Sequence, residues 1–394
     1  MGTNERLLGC LLGAAVGDTY EERARGGAKS LSSFLARRTA SPCTAATEQV
    51  VVAALGLTDA LRDGPDPQHI GSAISREILR WSRNDGMKRH RASLASLDAA
   101  KRLSSGAHWA TVGRSEEAVE PLLRAVVVGV AFPPEEIVVP AVVTASVTHT
   151  HPDVLQAAVL LAHLVAAMVR GHCLDLTLLA AASAQALQAA PEGHVVASVL
   201  ATIEHDHHSS DIADDLYGLL TDWQDSRTAR AVSLAVATAA RFAEAGSPQA
   251  LQHVLETVAK HPEAPAGFGA LTGALLGALW GDTMLPADVS DSVQHGQTLE
   301  ALARVLYHRA RSVPADLDDT LIDVREQPPT GVVANLFSHT PMQDATDHEW
   351  VMLDAMDSAL SAGAPRVPSA ANQHGIDLGA ANEVLDSVLG VLAR

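Results

Sequence analysis

Two stretches, "GCLLGAAVGDT" at residues 9–19 and "GALLGALWGDT" at residues 273–283, share their glycines, a Leu-Leu pair and a Gly-Asp-Thr end. Gly9, Gly13 and Gly17 fall at i, i+4 and i+8, and so do Gly273, Gly277 and Gly281. At 3.6 residues per turn this spacing lines the glycines along one face of a helix. A strip without side chains lets another helix approach to near backbone contact. Both stretches therefore read as tightly packed helices. Asp18-Thr19 and Asp282-Thr283, at their ends, are either helix exits or parts of a site.

Periodicity extends the helical reading along the chain. His69, Ile70, Ala73, Ile74, Glu77, Ile78 and Trp81 step along one helix face, with Arg76, Arg80 and Arg83 on the others. The same patterning predicts helices at about 116–131, 152–169, 174–189, 211–223, 228–245, 248–260, 268–280 and 294–311. "GPDP" (64–67), "FPPEE" (132–136), "APEG" (190–193) and "AGSP" (245–248) punctuate them. The fold class is all-α. From Ser312 onward proline and aspartate increase, and "TGVVANLFSH" (330–339) is the one strand-like stretch. Helical patterning returns at about 347–362 and 377–393. The expected organisation is a helical domain at 1–311 and a mixed C-terminal extension at 312–394 packed on it.

Composition narrows the partners. The 394 residues include 28 basic and 46 acidic ones, a formal charge of −18. That balance argues against a nucleic-acid backbone or an anionic membrane and for a small molecule or a protein. Cys10, Cys43 and Cys173 form no CxxC pair and no zinc spacing, as expected of buried thiols in a reducing cytoplasm. "LLGCLLGAAV" (7–16) resembles the apolar part of a signal peptide, but only Arg6 precedes it as a cation, with Glu5 beside it. Arg6 also stands where a myristoylation signal has Ser or Thr. No run is expected to reach the length of a membrane span.

Five segments in order carry a resemblance: "RLLGCLLGAAVGD" from Arg6, "TAATEQVVVAALGLTDAL" from Thr44, "ILRWSRNDG" from Ile78, "THTHPDVLQAAVLLA" from Thr148 and "GALTGALLGALWGDTMLP" from Gly269. Together they resemble the ADP-ribosylglycohydrolase family, which includes the dinitrogenase-reductase-activating glycohydrolases and the ADP-ribosylhydrolases. The resemblance implies an orthogonal all-α helical bundle that holds two magnesium ions. It also implies cleavage of the glycosidic bond joining ADP-ribose to a protein side chain.

The family's chemical motifs are altered here. Its first metal motif, Thr-Asp-Asp-Thr, corresponds to Thr44-Ala45-Ala46-Thr47, followed by Glu48-Gln49. Its second, Asp-Thr-Asp-Thr, falls at Ala264-Pro265-Ala266-Gly267. The Gly-rich turn that cups ribose and phosphates corresponds to "AVEPLLR" (118–124), which keeps Arg124 but brings Glu120 where phosphates approach. "GDTYEERARGG" (17–27) lacks the family's catalytic glutamate in register, although Glu21 and Glu22 lie close. Magnesium demands hard oxygen ligands, and carboxylates supply most of its binding.

The expectation is therefore no metal ligands, no magnesium and no other cofactor. The chain is read as a degenerate, cytoplasmic pseudoenzyme that binds a ligand (ADP-ribose or a nucleotide-like molecule) or a protein partner, with no nucleic acid and no membrane. The alternatives are an active hydrolase that removes ADP-ribose through a rebuilt site, or a metal-free enzyme with a repurposed pocket. Thr44, Thr47 and Arg124 are the expected ligand-binding residues. Asp18, Glu48, His149 and His151 are the catalytic candidates, since carboxylate and imidazole do acid–base work.

Other stretches carry weaker signals. "THTHPD" (148–153) equally fits a capping turn with buried imidazoles, Pro152 opening a helix. "EHDHHSSDIADD" (204–215) offers metal-capable side chains but reads as a surface loop. "DLDDTLID" (316–323) reads as a solvated acidic face, with Asp318 and Asp319 the residues that would refill a site. "GFGALTG" (267–273) has the wrong spacing for a dinucleotide fingerprint.

Overall fold

The computed structural model describes residues 2–26, 43–63, 65–84, 89–206, 226–243, 265–285 and 293–310. The expected helices at 211–223 and 248–260, the strand-like 330–339, the acidic 316–323 and the C-terminal extension lie outside the described residues. So does the His-rich tract beyond Asp206. Among the described residues there are twelve α-helices and no strand: α1 (Thr3–Arg25), α2 (Ala45–Asp63), α3 (Pro67–Arg83), α4 (Leu94–Ser104), α5 (Glu120–Ala131), α6 (Val138–Ser146), α7 (Pro152–Val169), α8 (Leu176–Ala189), α9 (Val195–Asp206), α10 (Arg227–Phe242), α11 (Phe268–Trp280) and α12 (Gly296–Ala310).

The two glycine-rich helices pack on each other. Gly9 lies against Gly277 and Gly281, Gly13 against Gly273, and Gly17 against Gly269, so α1 and α11 run antiparallel. A Cβ on Gly17 would stand 1.9 Å from the Gly269 carbonyl oxygen, and one on Gly273 2.0 Å from that of Gly13. No side chain fits in that seam. Its depth brings the C-terminal half of α1 against the start of α11. Gly281 ends α11 with φ 65°, which an L side chain rarely adopts.

Around this pair the core is built from small and branched residues. Every residue of α5 is buried, and it packs on α2 and α7. One correction to the sequence reading concerns α7. Its 18 residues, with mean hydropathy 1.7, are long and apolar enough to cross a membrane, yet 89 % of the segment is buried inside the fold. Pro152 opens α7, as its spacing predicts, and the His151 imidazole accepts the Asp153 N–H as its cap. Pro67 opens α3 in the same way behind Asp66.

α2, α4, α6 and α9 lie outside the stretches that periodicity marks. The sequence of α6, "VVPAVVTAS", is apolar on all sides and rich in β-branched residues, so it shows no stripe and no helix propensity. An isolated parallel bridge between Arg114 and His149 fixes the turn that follows it. There Arg114 N–H donates to Thr148 O at 3.0 Å and Thr150 N–H to Arg114 O at 2.8 Å.

Candidate functional site

The first turn of α2 is the turn that carries Thr44, Ala45, Ala46 and Thr47, and protein atoms satisfy every donor in it. A helix start leaves its first amides without intrahelical partners. Here Thr44 N–H donates to Asp18 Oδ2 at 2.8 Å and Thr47 N–H to the same oxygen at 3.3 Å. Ala45 N–H donates to His90 O at 2.7 Å, and Ala46 N–H to Thr44 Oγ1 at 3.1 Å. Both hydroxyls also point at Asp18: Thr44 Oγ1 donates to Oδ1 and Thr47 Oγ1 to Oδ2, each at 2.6 Å.

The Asp18 carboxylate thus accepts four hydrogen bonds and acts as an N-cap supplied by another helix. Burial pushes its pKa up, and the Thr44 and Thr47 donors pull it back. The sequence candidates Asp18, Thr44 and Thr47 are therefore brought together, and what they bind is each other.

Glu21, one turn further along α1, does the same for α11. Its carboxylate accepts from Gly267 N–H at 2.9 Å and from Gly269 N–H at 2.9 Å. It is paired with Arg25 at 2.8 Å, and burial raises its pKa against that pairing. Gly267 turns the chain into α11 with φ 89°. Pro265-Ala266-Gly267, which the resemblance sets against the second metal motif, offers no side-chain oxygen, and its final amide is taken by Glu21. Next on α1, Glu22 binds Arg91 Nε at 2.5 Å and His90 Nε2 at 2.9 Å, tying the 89–91 segment over this end of the helix. The Arg91 and His90 contacts hold the Glu22 carboxyl below its ordinary range despite partial burial.

A magnesium ion needs several oxygen acceptors facing one point. In these two turns Ala45, Ala46, Pro265, Ala266 and Gly267 offer no side-chain oxygen, and the two carboxylates that reach them, Asp18 and Glu21, are engaged by the helix-start N–H groups. The described donor set is poor in the carboxylates that a hard divalent cation prefers.

Glu48 follows Thr47 and is buried, with Trp81 Nε1 donating to its Oε2 at 2.7 Å. Cys43 precedes Thr44, and its N–H donates to Gln294 Oε1 at 3.3 Å. His295, before α12, adopts φ 65°, and burial pushes its pKa down to about 4.

A second polar assembly crosses the core between α4, α5 and the turn before α7. Arg124 is fully buried: Nε donates to Thr144 O at 3.1 Å, Nη1 to Gln49 Oε1 at 2.5 Å, and Nη2 to Thr148 Oγ1. Ser93 Oγ gives its one proton to Glu120 Oε2 at 2.7 Å, so His149 Nε2, 3.3 Å from Ser93 Oγ, donates to it. That assigns the neutral ring its Nε2–H tautomer, and Nδ1 accepts from Thr148 Oγ1 at 2.8 Å. Glu120 also accepts Ser93 N–H at 2.5 Å and Ser96 Oγ at 2.5 Å.

The assembly is a one-directional chain from a guanidinium to a carboxylate. In it the ring gives a proton to Ser93 and takes none from it, which is the reverse of nucleophile activation. Burial, and secondarily the Arg124 charge, push His149 down to about 3. Burial also lowers Arg124 to about 10, with Glu120 opposing, and raises Glu120 against its serine donors.

His151 stands apart. Its Nδ1 accepts Asp153 N–H at 3.3 Å, and it lies near Glu117 and Asp153. Glu117 accepts from Thr228 N–H at 2.9 Å and Ser226 Oγ at 3.0 Å, so it caps α10. Asp153 accepts His194 N–H at 2.7 Å. Residues that sequence reasoning missed are Ser93, Ser96, Trp81, Thr148 and His295; only the Asp18 to Glu21 spacing of three, which sets both acids on one helix face, was a readable signal.

Comparison with known proteins bears on the fold. A family model described as ADP-ribosylglycohydrolase matches residues 1–315. A solved structure described as an ADP-ribosylglycohydrolase-related protein complex is similar with a TM-score of 0.54 and 21 % identity, over 78 % of this chain and 99 % of that one. No functionally curated protein matches the sequence.

Proposed function

The chain belongs to the ADP-ribosylglycohydrolase family, and from that premise we propose that it binds rather than hydrolyses. In this reading it holds no binuclear magnesium centre, does not cut the ADP-ribosyl bond, and works through a bound ligand or protein partner. The observation that carries the reading is the first turn of α2: two alanines replace carboxylates, and Asp18 takes both threonine hydroxyls and two of the four first-turn amides.

Two further features support it. Glu21 closes the first turn of α11 in the same manner. Glu120, where the family's phosphate-cupping turn falls, is buried and engaged by Ser93 and Ser96. A net charge of −18 favours a small molecule or protein over a nucleic acid or an anionic membrane. The three free cysteines fit a reducing cytoplasm, although Cys173 is exposed, not buried as the sequence reading expects.

The test is a thermal-shift titration of the full chain with ADP-ribose, with magnesium and again with a chelator. Stabilisation that survives the chelator identifies a metal-free ADP-ribose binder, and no shift in either condition points to a different ligand or a protein. Stabilisation that requires magnesium overturns the proposal.

A further inference from the structure

We propose that Cys43, Glu48 and His295 form a binding site for one zinc-class transition-metal ion at the N-terminus of α2. The site is independent of whether hydrolysis is lost. Two of its three ligands, a thiol and an imidazole, are of a kind that magnesium does not favour.

The geometry is that of an open triad. One ligand atom from each residue (the Cys43 Sγ, a Glu48 carboxylate oxygen and a His295 ring nitrogen) lies within 4.8 Å of the other two. Ligand atoms in a tetrahedral zinc site with bonds of about 2.0–2.3 Å stand roughly 3.3–3.8 Å apart. Closing the triad asks for side-chain movement on the order of 1 Å, well within rotamer adjustment for three groups of this kind.

The surroundings hold the ligands in place. Trp81 Nε1 fixes the Glu48 carboxylate at 2.7 Å, the kind of outer hydrogen bond that orients a metal ligand. Cys43 N–H to Gln294 Oε1, at 3.3 Å, pins the residue beside His295 to the residue that carries the thiol. His295 itself takes φ 65°, a conformation a side-chain-bearing residue adopts only when its surroundings enforce it. Its Nε2 is buried with no hydrogen-bond partner among the described residues, and such an atom calls for one.

Charge balances as well: a thiolate and a carboxylate against a doubly charged ion leave the buried site neutral. The same groups select the ion. Thiolate and imidazole are poor ligands for magnesium and good ones for zinc, with cobalt as its spectroscopic substitute. Three protein ligands leave one tetrahedral position for water or an exogenous donor.

The test uses the reduced, chelator-stripped full chain titrated with Co²⁺ and then with Zn²⁺. The expected result is one equivalent of Co²⁺ with a near-ultraviolet thiolate-to-metal band and visible bands of tetrahedral type, displaced by Zn²⁺. Cys43→Ser removes the thiolate band. His295→Asn suits the left-handed backbone, so it keeps the wild-type circular dichroism and weakens binding by at least about ten-fold. The proposal is overturned if no thiolate band forms at one equivalent. It is equally overturned by a band that persists in Cys43→Ser, which would place the metal on Cys10 or Cys173, or by unchanged affinity in folded His295→Asn. Binding without a thiolate band assigns the ion to histidines such as those at 205–208, and also overturns it.

Discussion

Replacing Asp18 with asparagine separates a structural carboxylate from one reserved for a cation. Asp18 accepts two backbone amides, at 2.8 and 3.3 Å, and two hydroxyls, each at 2.6 Å. Both amides and the Thr47 hydroxyl donate to Oδ2, and only the Thr44 hydroxyl to Oδ1. Asp18→Asn can therefore keep an oxygen at the Oδ2 place, but its amide nitrogen then faces Thr44 Oγ1, and that hydroxyl loses its charged acceptor. A hydrogen bond to a charged group is worth about 1.5–3 kcal/mol. The favourable interaction of the carboxylate with the helix start, up to about 2 kcal/mol where buried, is lost as well.

Relief of the desolvation that raises the Asp18 pKa offsets part of this. The expected net loss is about 2–4 kcal/mol, out of a typical total of about 5–15 kcal/mol. Urea unfolding of wild type and Asp18→Asn, each with and without magnesium, measures it. Asp18 as a metal ligand predicts the opposite pattern: the variant at least as stable as wild type without magnesium, and wild type alone stabilised when magnesium is added. That pattern would refute the reasoning.

Three further outcomes are expected. Gly17→Ala puts a Cβ 1.9 Å from the Gly269 oxygen, where real Cβ atoms do not come within 3.0 Å, so the α1–α11 seam must open by more than 1 Å. Overpacking of about 1–3 kcal/mol or more outweighs the gain of about 1 kcal/mol in helix propensity, and thermal unfolding should show a clear net loss. Glu77 is buried with its pKa pushed up to about 7, so the native state holds its proton where the unfolded chain has released it. Its stabilising contribution is full below about pH 4.5 and is lost as pH rises through 7. Glu77→Gln should therefore stabilise the protein at pH 8 by about 3 kcal/mol and change little at pH 4. His149, pushed down to about 3, has the opposite sign: its contribution is present above pH 6.5 and lost as pH falls toward 3. The two windows overlap, so acid unfolding of Glu77→Gln should be steeper than that of wild type between pH 6.5 and 4.5.

The readable parts of the fold were those with a local cause. Glycines at i, i+4 and i+8 announce a side-chain-free face, and the α1–α11 seam follows from it. Pro67 and Pro152 mark helix starts because a first-turn residue needs no amide proton. By contrast α6 is hidden, since a short, mostly buried helix of largely apolar residues has no polar face to give it a period.

Ala45 and Ala46 were legible as alanines where the family resemblance expects carboxylates. What takes their place was not. Asp18 and Glu21 reach the starts of α2 and α11 only because the glycine seam brings α1 there. The direction of the chain from Arg124 to Glu120 depends on which hydroxyl proton each partner has already used. His295 approaches Cys43 and Glu48 across some 250 residues of sequence, with no spacing rule to announce it.

The central claim is that this family member does not run the magnesium-dependent reaction. It is tested most directly by incubating the full chain with an ADP-ribosylated protein or peptide in the presence of magnesium and measuring free ADP-ribose. The account predicts release no faster than in the protein-free control, with or without the metal. Release that needs magnesium and stops on adding a chelator would contradict it.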